Sequence, residues 1–471
     1  MSGTKSTSAS LAGAEAVSES ASPWPVFFTV CVAAFLVSID ATVLYAAFPA
    51  LRKSFSSVSS ADLSWVLNAY TVVYAALLVP AGRLADSLGR RRTFVAGTAM
   101  FLAASIACGI SDNVNLLIVA RAFQAVGAAL LTPASLALVL AAFPASRRSV
   151  AVSMWGAVGA LAAAIGPGLG SVLVDTLGWR WAFFMNVPAA LWALYRTRTR
   201  IPPDHKAGIH FRIDVVGVVL LIVGMGGLTA AVVAIEGHTI FSPRIGLSAA
   251  IGIASLVAFV AWAKRHPDPA LDLSLFSNGT YTAVNFATLT FGVAFTMMFF
   301  GFFFFMTGIW KYSLPLAGLA ITPGPLLVIP VAMLSGRFAA RAGHRPLLVL
   351  GSLLLAAGGV WQAYVPGLEP RYLLHWLPSQ LMTGVGIGMA LPSFSGAAVA
   401  SLGSNRFGVG SAVNQALRQF GSVIGVALTV VIAGGTNFDL AAFHSLTLTY
   451  AALAALTAVL CLPVNTRPKA P

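Results

Sequence analysis

The chain has 471 residues, of which 58% are Ala, Val, Ile, Leu, Met, Phe, Trp, Tyr or Cys and only 9% are charged, whereas a soluble domain is about one quarter charged. With a mean hydropathy of +0.87, too little polar surface exists to cover a globule in water, so the composition excludes soluble enzymes and disordered chains and makes lipid the solvent. An excess of basic residues, 28 Lys and Arg against 14 acids, would point to nucleic acid in a soluble protein; here it reports topology and implies no nucleic-acid partner.

A spanning helix takes about 20 apolar residues, which leaves room for about 14 to 16 spans with their loops. Residues 1–24 are polar and Ser/Ala-rich and read as a disordered cytoplasmic tail. The apolar run from Pro25 to Phe48 is too long for the core of a signal peptide and lacks a small-x-small exit. Later runs centre near Ala75, Ala103, Leu130, Ala160, Leu191, Gly224, Ala254, Ala294, Val328, Leu354, Ile387, Ile424 and Ala454. The expectation is an all-α membrane protein with fourteen transmembrane helices. With the tail in the cytoplasm, 20 of the 28 basic residues fall in inner segments and six in outer ones, leaving Arg121 and Arg418 inside helices. Both termini are therefore expected in the cytoplasm, with the chain multi-pass in the inner (cytoplasmic) membrane. Trp24, Trp65, Trp179, Trp310 and Trp376 fall near span ends, where interfacial anchors belong. Cys31, Cys108 and Cys461 all lie in apolar runs, without disulfide or metal-site spacing, and read as packing residues.

An internal repeat divides the chain. Gly82-Arg83-x-Ala85, Gly89 and Arg91 recur at an offset of 254 as Gly336-Arg337-x-Ala339, Gly343 and Arg345, and Gly127 and Pro133 recur at an offset of 259 as Gly386 and Pro392. The predicted division is a tail (1–24), a six-helix bundle (25–196), a basic loop with two inserted helices (197–265), a second six-helix bundle (266–465) and a short cytoplasmic tail (466–471). Two such bundles can rock about a midplane site, which is a transporter's architecture.

Asp40 is the carboxylate well inside a span, where an ionised group costs about 3 kcal/mol or more unless paired or hydrated. At about 1.5 Å per residue it lies roughly 22 Å from one face, and Arg121 roughly 9 Å from the other. In a core about 30 Å thick those depths nearly coincide. The two charges are expected to meet, either as a proton-coupling pair or as a fixed structural one. Arg418 sits near a midplane with no acid in its helix; it binds cargo or a carboxylate, or bonds to carbonyls of a neighbouring helix. Gln124, Asn414 and Gln419 can bind cargo or bond helix to helix. Phe291, Phe295 and Phe299 form a stripe followed by Phe302 to Phe305, which lines a pocket for greasy cargo or faces lipid. Met297, Met298 and Met306 add adaptable surface if that face is inward. Gly166, Pro167 and Gly170 allow close helix approach and a kink. Asp86 suits the positive end of the helix that follows it.

Gly82-x-Leu84-Ala85-Asp86-x-x-Gly89-Arg90-Arg91 resembles the loop signature of the major facilitator superfamily. Three more segments resemble its fourteen-span drug:proton antiporter branch: Asp40-Ala41-Thr42-Val43 leading to Ala47-x-Pro49, Arg121-x-x-Gln124-x-x-Gly127, and Gly166-Pro167-x-x-Gly170. With Asn414, Arg418, Gln419 and the glycines Gly421 and Gly425, the resemblance covers about residues 25 to 465. Ser87, Ala125, Ser171 and Tyr45 depart from the usual residues, and Tyr45 reshapes the expected pocket. The resemblance implies proton coupling at Asp40 and Arg121. It also implies a conformational gate at Gly82, Asp86, Gly89, Arg90, Gly166, Pro167 and Gly170, with Asp86 latching the half-domains.

The reading is proton-coupled efflux of small hydrophobic or amphipathic compounds, with protons and membrane lipid as the other partners and the proton gradient in place of any cofactor. The alternative is a narrow-substrate proton symporter or metabolite exporter of the same fold. An enzyme is not expected: the seven His are scattered, without His-x-x-x-His or Cys-x-x-Cys spacing, and the chain has no Walker-type phosphate loop. Asp214 and Glu236 lie near the ends of the inserted helices, and sequence leaves their relation to the transport path open, as it leaves the oligomeric state.

Overall fold

The computed structural model of the chain describes residues 22–144, 147–203, 213–235, 242–402, 407–433 and 439–466. Most of the N-terminal tail, Lys206, Arg212, Glu236, Arg406, Arg467 and Lys469 lie outside the described residues. Each apolar run is occupied by a helix: α1 (Trp24–Ser54), α2 (Trp65–Leu88), α3 (Arg90–Gly109), α4 (Val114–Ala142), α5 (Arg148–Leu177), α6 (Asn186–Arg200), α7 (Val215–Val233), α8 (Pro243–Ala263), α9 (Gly279–Phe304), α10 (Pro323–Ala342), α11 (Arg345–Tyr364), α12 (Leu377–Ala400), α13 (Phe407–Ala433) and α14 (Leu440–Leu460). Short polar side chains start several of them. Asn113, Asp214, Asn278 and Asp439 each accept a hydrogen bond from a backbone N–H in the first turn of α4, α7, α9 and α14. In lipid a helix satisfies its own backbone, and among the described residues there is no strand.

Twelve helical segments among the described residues are long and apolar enough to cross a membrane, α7 and α8 included. Of the two remaining long helices, α5 has Ile165–Leu177 as the apolar stretch among its described residues, and α6 has 15 residues and ends in Arg196, Arg198 and Arg200.

The sequence repeat is also a repeat of geometry. The pairings α1–α5, α2–α4, α3–α4 and α3–α6 recur as α9–α13, α10–α12, α11–α12 and α11–α14, and the seams α2–α13 and α10–α5 exchange under the same shift of eight helices. Gly89, between α2 and α3, has φ 105°, and its counterpart Gly343, between α10 and α11, has φ 78°; both turns need the left-handed backbone that glycine adopts without strain. Helices α7 and α8 have no counterpart in the repeat. They pack on each other, and α7 lies against both α2 and α13, where Met225 meets Val72, Ala75, Phe420 and Val423.

One sequence expectation is corrected and one open alternative is decided. Trp24 is exposed and Trp65 half-buried, but Trp179, Trp310 and Trp376 are buried and do not anchor the chain at a lipid interface. Trp376 stacks on Phe305 at 5.0 Å and the Trp310 indole N–H donates to the Gly367 carbonyl at 2.9 Å; π-helical turns at Phe305–Ile309 and Tyr372–Trp376 fold these rings back onto protein. The aromatic stripe of α9 likewise faces protein, since Phe291, Phe299 and Phe302 to Phe305 are all buried. The three cysteines are free and buried.

Candidate functional site

Helix α1 carries Asp40 and α4 carries Arg121 to the same depth, where both are buried and Arg121 Nη1 lies 2.6 Å from Asp40 Oδ2. The other carboxylate oxygen, Oδ1, accepts the side-chain amides of Gln124 at 2.9 Å and Asn186 at 2.8 Å. Arg121 also donates from Nε to the Val66 carbonyl of α2 at 3.0 Å and from Nη1 to Gln124 Oε1 at 2.6 Å. Its guanidinium lies over the Tyr70 ring, 4.1 Å from the centroid. Ser105 of α3 accepts from Gln124 at 2.8 Å. Residues from α1, α2, α3, α4 and α6 thus close on one ion pair, which is how a buried pair offsets its desolvation. The Asn186 side-chain oxygen Oδ1 and the Tyr70 hydroxyl are buried there without a hydrogen-bond partner.

A second polar group lies on α13. Arg418 and Gln419 are half-buried near the middle of the helix, and the Arg418 guanidinium is within electrostatic reach of the phenols of Tyr45 on α1 and Tyr74 on α2. Asn414 is buried and donates to Asn285 Oδ1 at 3.0 Å and Thr288 Oγ1 at 2.8 Å, tying α13 to α9. Tyr45 packs against Phe299 and Phe300. Phe295 and Phe299 line a cavity of about 50 Å³ together with Met298, Phe302, Gln380 and Thr383. That volume holds only a few waters, whereas a drug-sized ligand needs at least about 300 Å³, so this cavity is too small for one as it stands.

A family model described as Major Facilitator Superfamily matches residues 30–426. The chain belongs to the Major Facilitator Superfamily. Among curated relatives it is similar to the puromycin resistance protein pur8 of Streptomyces alboniger, 34% identical over 89% of this chain and 84% of that one. It is also similar to the multidrug resistance protein Stp of Mycobacterium tuberculosis, 31% identical over 84% of this chain and 73% of that one. The cephamycin export protein CmcT of Amycolatopsis lactamdurans is 29% identical over 91% of both chains. A solved D-xylose-proton symporter superposes with a TM-score of 0.68 at 14% identity, covering 95% of this chain and 98% of that one; at that identity the likeness shows the fold alone. The superfamily's members are transporters, so this is a multi-pass membrane transporter of small molecules.

The loop signature of this superfamily member is only partly engaged. Asp86 is exposed and pairs with Arg90 one turn on, at 3.4 Å, while the contact across to the second half is made by Arg83, which donates to the Pro269 carbonyl at 3.2 Å. Gly82 faces Pro133 of α4. In α5, a methyl group at Gly166 would strike Thr42, and one at Gly170 would lie 3.0 Å from Val43 Cα, so these glycines let α5 lie directly on the Asp40 helix. The Pro167 carbonyl on the opposite side packs against Gly318 of the second half, and α5 continues through Pro167 unbroken. The glycine-rich stretch therefore joins the charged helix to the seam.

Gln124, expected at the cargo site, is bound into the Asp40 group. Sequence reasoning missed Asn186, Ser105 and Tyr70; the one available signal was that a lone amide in an apolar run needs a hydrogen-bond partner inside the protein.

Proposed function

We propose that this transporter expels small hydrophobic or amphipathic compounds, such as drugs or antibiotics, across the cytoplasmic membrane in exchange for protons. Relatives named for puromycin resistance, multidrug resistance and cephamycin export support the efflux direction. No cofactor enters, because an ion gradient drives the superfamily's transporters. The single observation that carries proton coupling is the buried contact between Asp40 and Arg121.

Protonating Asp40 removes the charge that holds Arg121, and an unpartnered buried charge costs about 3–5 kcal/mol. A bias of that size shifts a two-state equilibrium by about two to four orders of magnitude. Proton uptake thus disfavours the conformation in which the pair is sealed, and cargo binding at Tyr45, Phe295, Phe299, Arg418 and Gln419, with Asn414 and Gln124 supporting, biases the opposite swing. The gate is the Gly82, Asp86, Gly89 and Arg90 loop together with the α5 segment around Gly166, Pro167 and Gly170.

In this reading α5 and α6 also cross the membrane, giving fourteen spans. Residues 25–196 and 266–465 are the two bundles, 197–265 holds the inserted pair, and both termini lie in the cytoplasm. The test is dye transport in inverted vesicles with an imposed proton gradient. Asp40→Asn is expected to abolish uphill movement while leaving downhill exchange. Uphill transport by Asp40→Asn with unchanged proton dependence would remove Asp40 from the mechanism.

A further inference from the structure

Among the described residues Asp40 is the carboxylate in the middle of a helix, and Arg121 already neutralises it. Arg418 stands at the seam between α2 and α13, and among the described residues no carboxylate forms an ion pair with it. Its position is fixed by its backbone, since the Arg418 carbonyl rests against Gly292 of α9 with no room for a side chain between them. The groups around the guanidinium are neutral: the phenols of Tyr45 and Tyr74, and Gln415 beside Tyr74. Gln419 follows on the same helix. One turn along α9 from Gly292, Phe295 begins the apolar wall that continues through Met298, Phe299 and Phe302. A single uncompensated positive charge therefore faces the seam between the halves, with amides and phenols around it and aromatic surface next to it.

Such a charge inside a membrane protein is stabilised by an anion brought to it, and guanidinium holds a carboxylate in a two-pronged, charge-assisted geometry that neutral donors do not match. A cationic ligand at the same place meets repulsion and finds no free acid. We infer that the cargo of this transporter is an amphipathic organic anion, its carboxylate held by Arg418 and its apolar body laid against Tyr45, Phe295 and Phe299. The inference rests on the export reading above and specifies its substrate class.

The experiment uses the purified full chain in detergent, in low-chloride buffer and without a gradient, so that binding is read independently of proton-driven transport. Fluorescence titration compares a panel of matched probes: aromatic carboxylates such as dansylglycine, the corresponding neutral amides such as dansylglycinamide, and amines such as dansyl-ethylenediamine. At least one carboxylate is expected to bind ten-fold or more tighter than its amide, with the amine weakest. Arg418→Gln should erase that preference while leaving the neutral probe within about two-fold, and Arg418→Lys should retain part of it. A panel in which no carboxylate outbinds its amide, or a preference that survives Arg418→Gln, overturns the inference. Vesicle transport separates the two claims. Proton-driven export that moves carboxylate dyes no better than their neutral or cationic counterparts, and whose carboxylate export is unchanged by Arg418→Gln, sinks the anion inference and leaves efflux standing. Arg418-dependent anion binding without uphill transport does the reverse.

Discussion

Asn186 and Gln124 reach the same oxygen of Asp40 from different helices, and this shared contact decides how the pair tolerates change. Replacing Asn186 by Ala deletes a buried hydrogen bond to a charged group, worth about 1.5–3 kcal/mol, and should lower the thermal unfolding midpoint in detergent by several degrees. Asn186→Asp puts a second carboxylate directly against Oδ1 of the first, while the Arg121 guanidinium is on Oδ2, and like charges in one site resist joint ionisation. That variant should be less stable than Asn186→Ala at pH 8, and the gap should narrow on acidification as the surplus carboxyl takes a proton. Equal midpoints for the two variants at every pH would show that Asn186 does not sense the charge. The Asp40–Arg121 contact itself was legible in the sequence, because two lone charges at matching depth have few other partners. Asn186 was not, since a neutral amide separated by 146 residues from Asp40 carries no sign of the direction it faces. Asn414 was legible as polar, yet its partners Asn285 and Thr288 were not.

At the scale of elements, hydropathy located every long helix, because in lipid each apolar run must satisfy its backbone internally. Lateral placement was hidden: that α7 would lie on both α2 and α13 depends on which apolar faces fit, and apolar faces look alike in sequence. Asp214 shows what holds this pair of helices. It is buried at the start of α7 and accepts the Gly217 N–H at 2.8 Å, the Trp262 indole N–H of α8 at 2.9 Å and the Ala270 N–H ahead of α9 at 2.9 Å. Burial pushes this carboxyl up, but the two backbone bonds, the indole bond and the nearby His266 outweigh it and bring it below the ordinary carboxylate value. A carboxyl lowered in the folded state contributes stability above its unfolded value and loses it as pH falls through the lowered one. The clasp therefore stays closed throughout the neutral range and opens only at a pH below the ordinary carboxylate value. Asp214→Ala should cost about 1–3 kcal/mol, read as a drop in unfolding midpoint of the same size at pH 7 and at pH 5. A drop that vanishes at pH 5 would contradict the sign of that shift.

For the whole molecule, what matters is which end of the seam is shut. On the proposed topology the outward ends of α1 and α9 meet through aromatic rings: Phe48 lies 4.9 Å from Phe300 and 6.2 Å from Phe304, and Tyr45 lies 5.5 Å from Phe300. The repeat made two rocking bundles legible, but not which state the chain rests in, because that depends on small differences between two sets of contacts. Aromatic pairs add about 0.5–1.5 kcal/mol each beyond area burial, and Phe48 makes two of them while fully buried. Each 1.4 kcal/mol removed from the sealed state moves the equilibrium about ten-fold. Phe48→Ala should therefore raise the outward-open population by at least an order of magnitude, as long as Phe48 packs against α9 only in the sealed state. Spin labels at Ser57→Cys and Leu368→Cys, both exposed and on opposite halves, report the separation across this end by pulsed electron resonance. The three native thiols are buried and give little background. The parent protein should show one dominant distance, and Phe48→Ala a second, longer one. An unchanged distance distribution would place the resting seal somewhere other than the ring contact between α1 and α9.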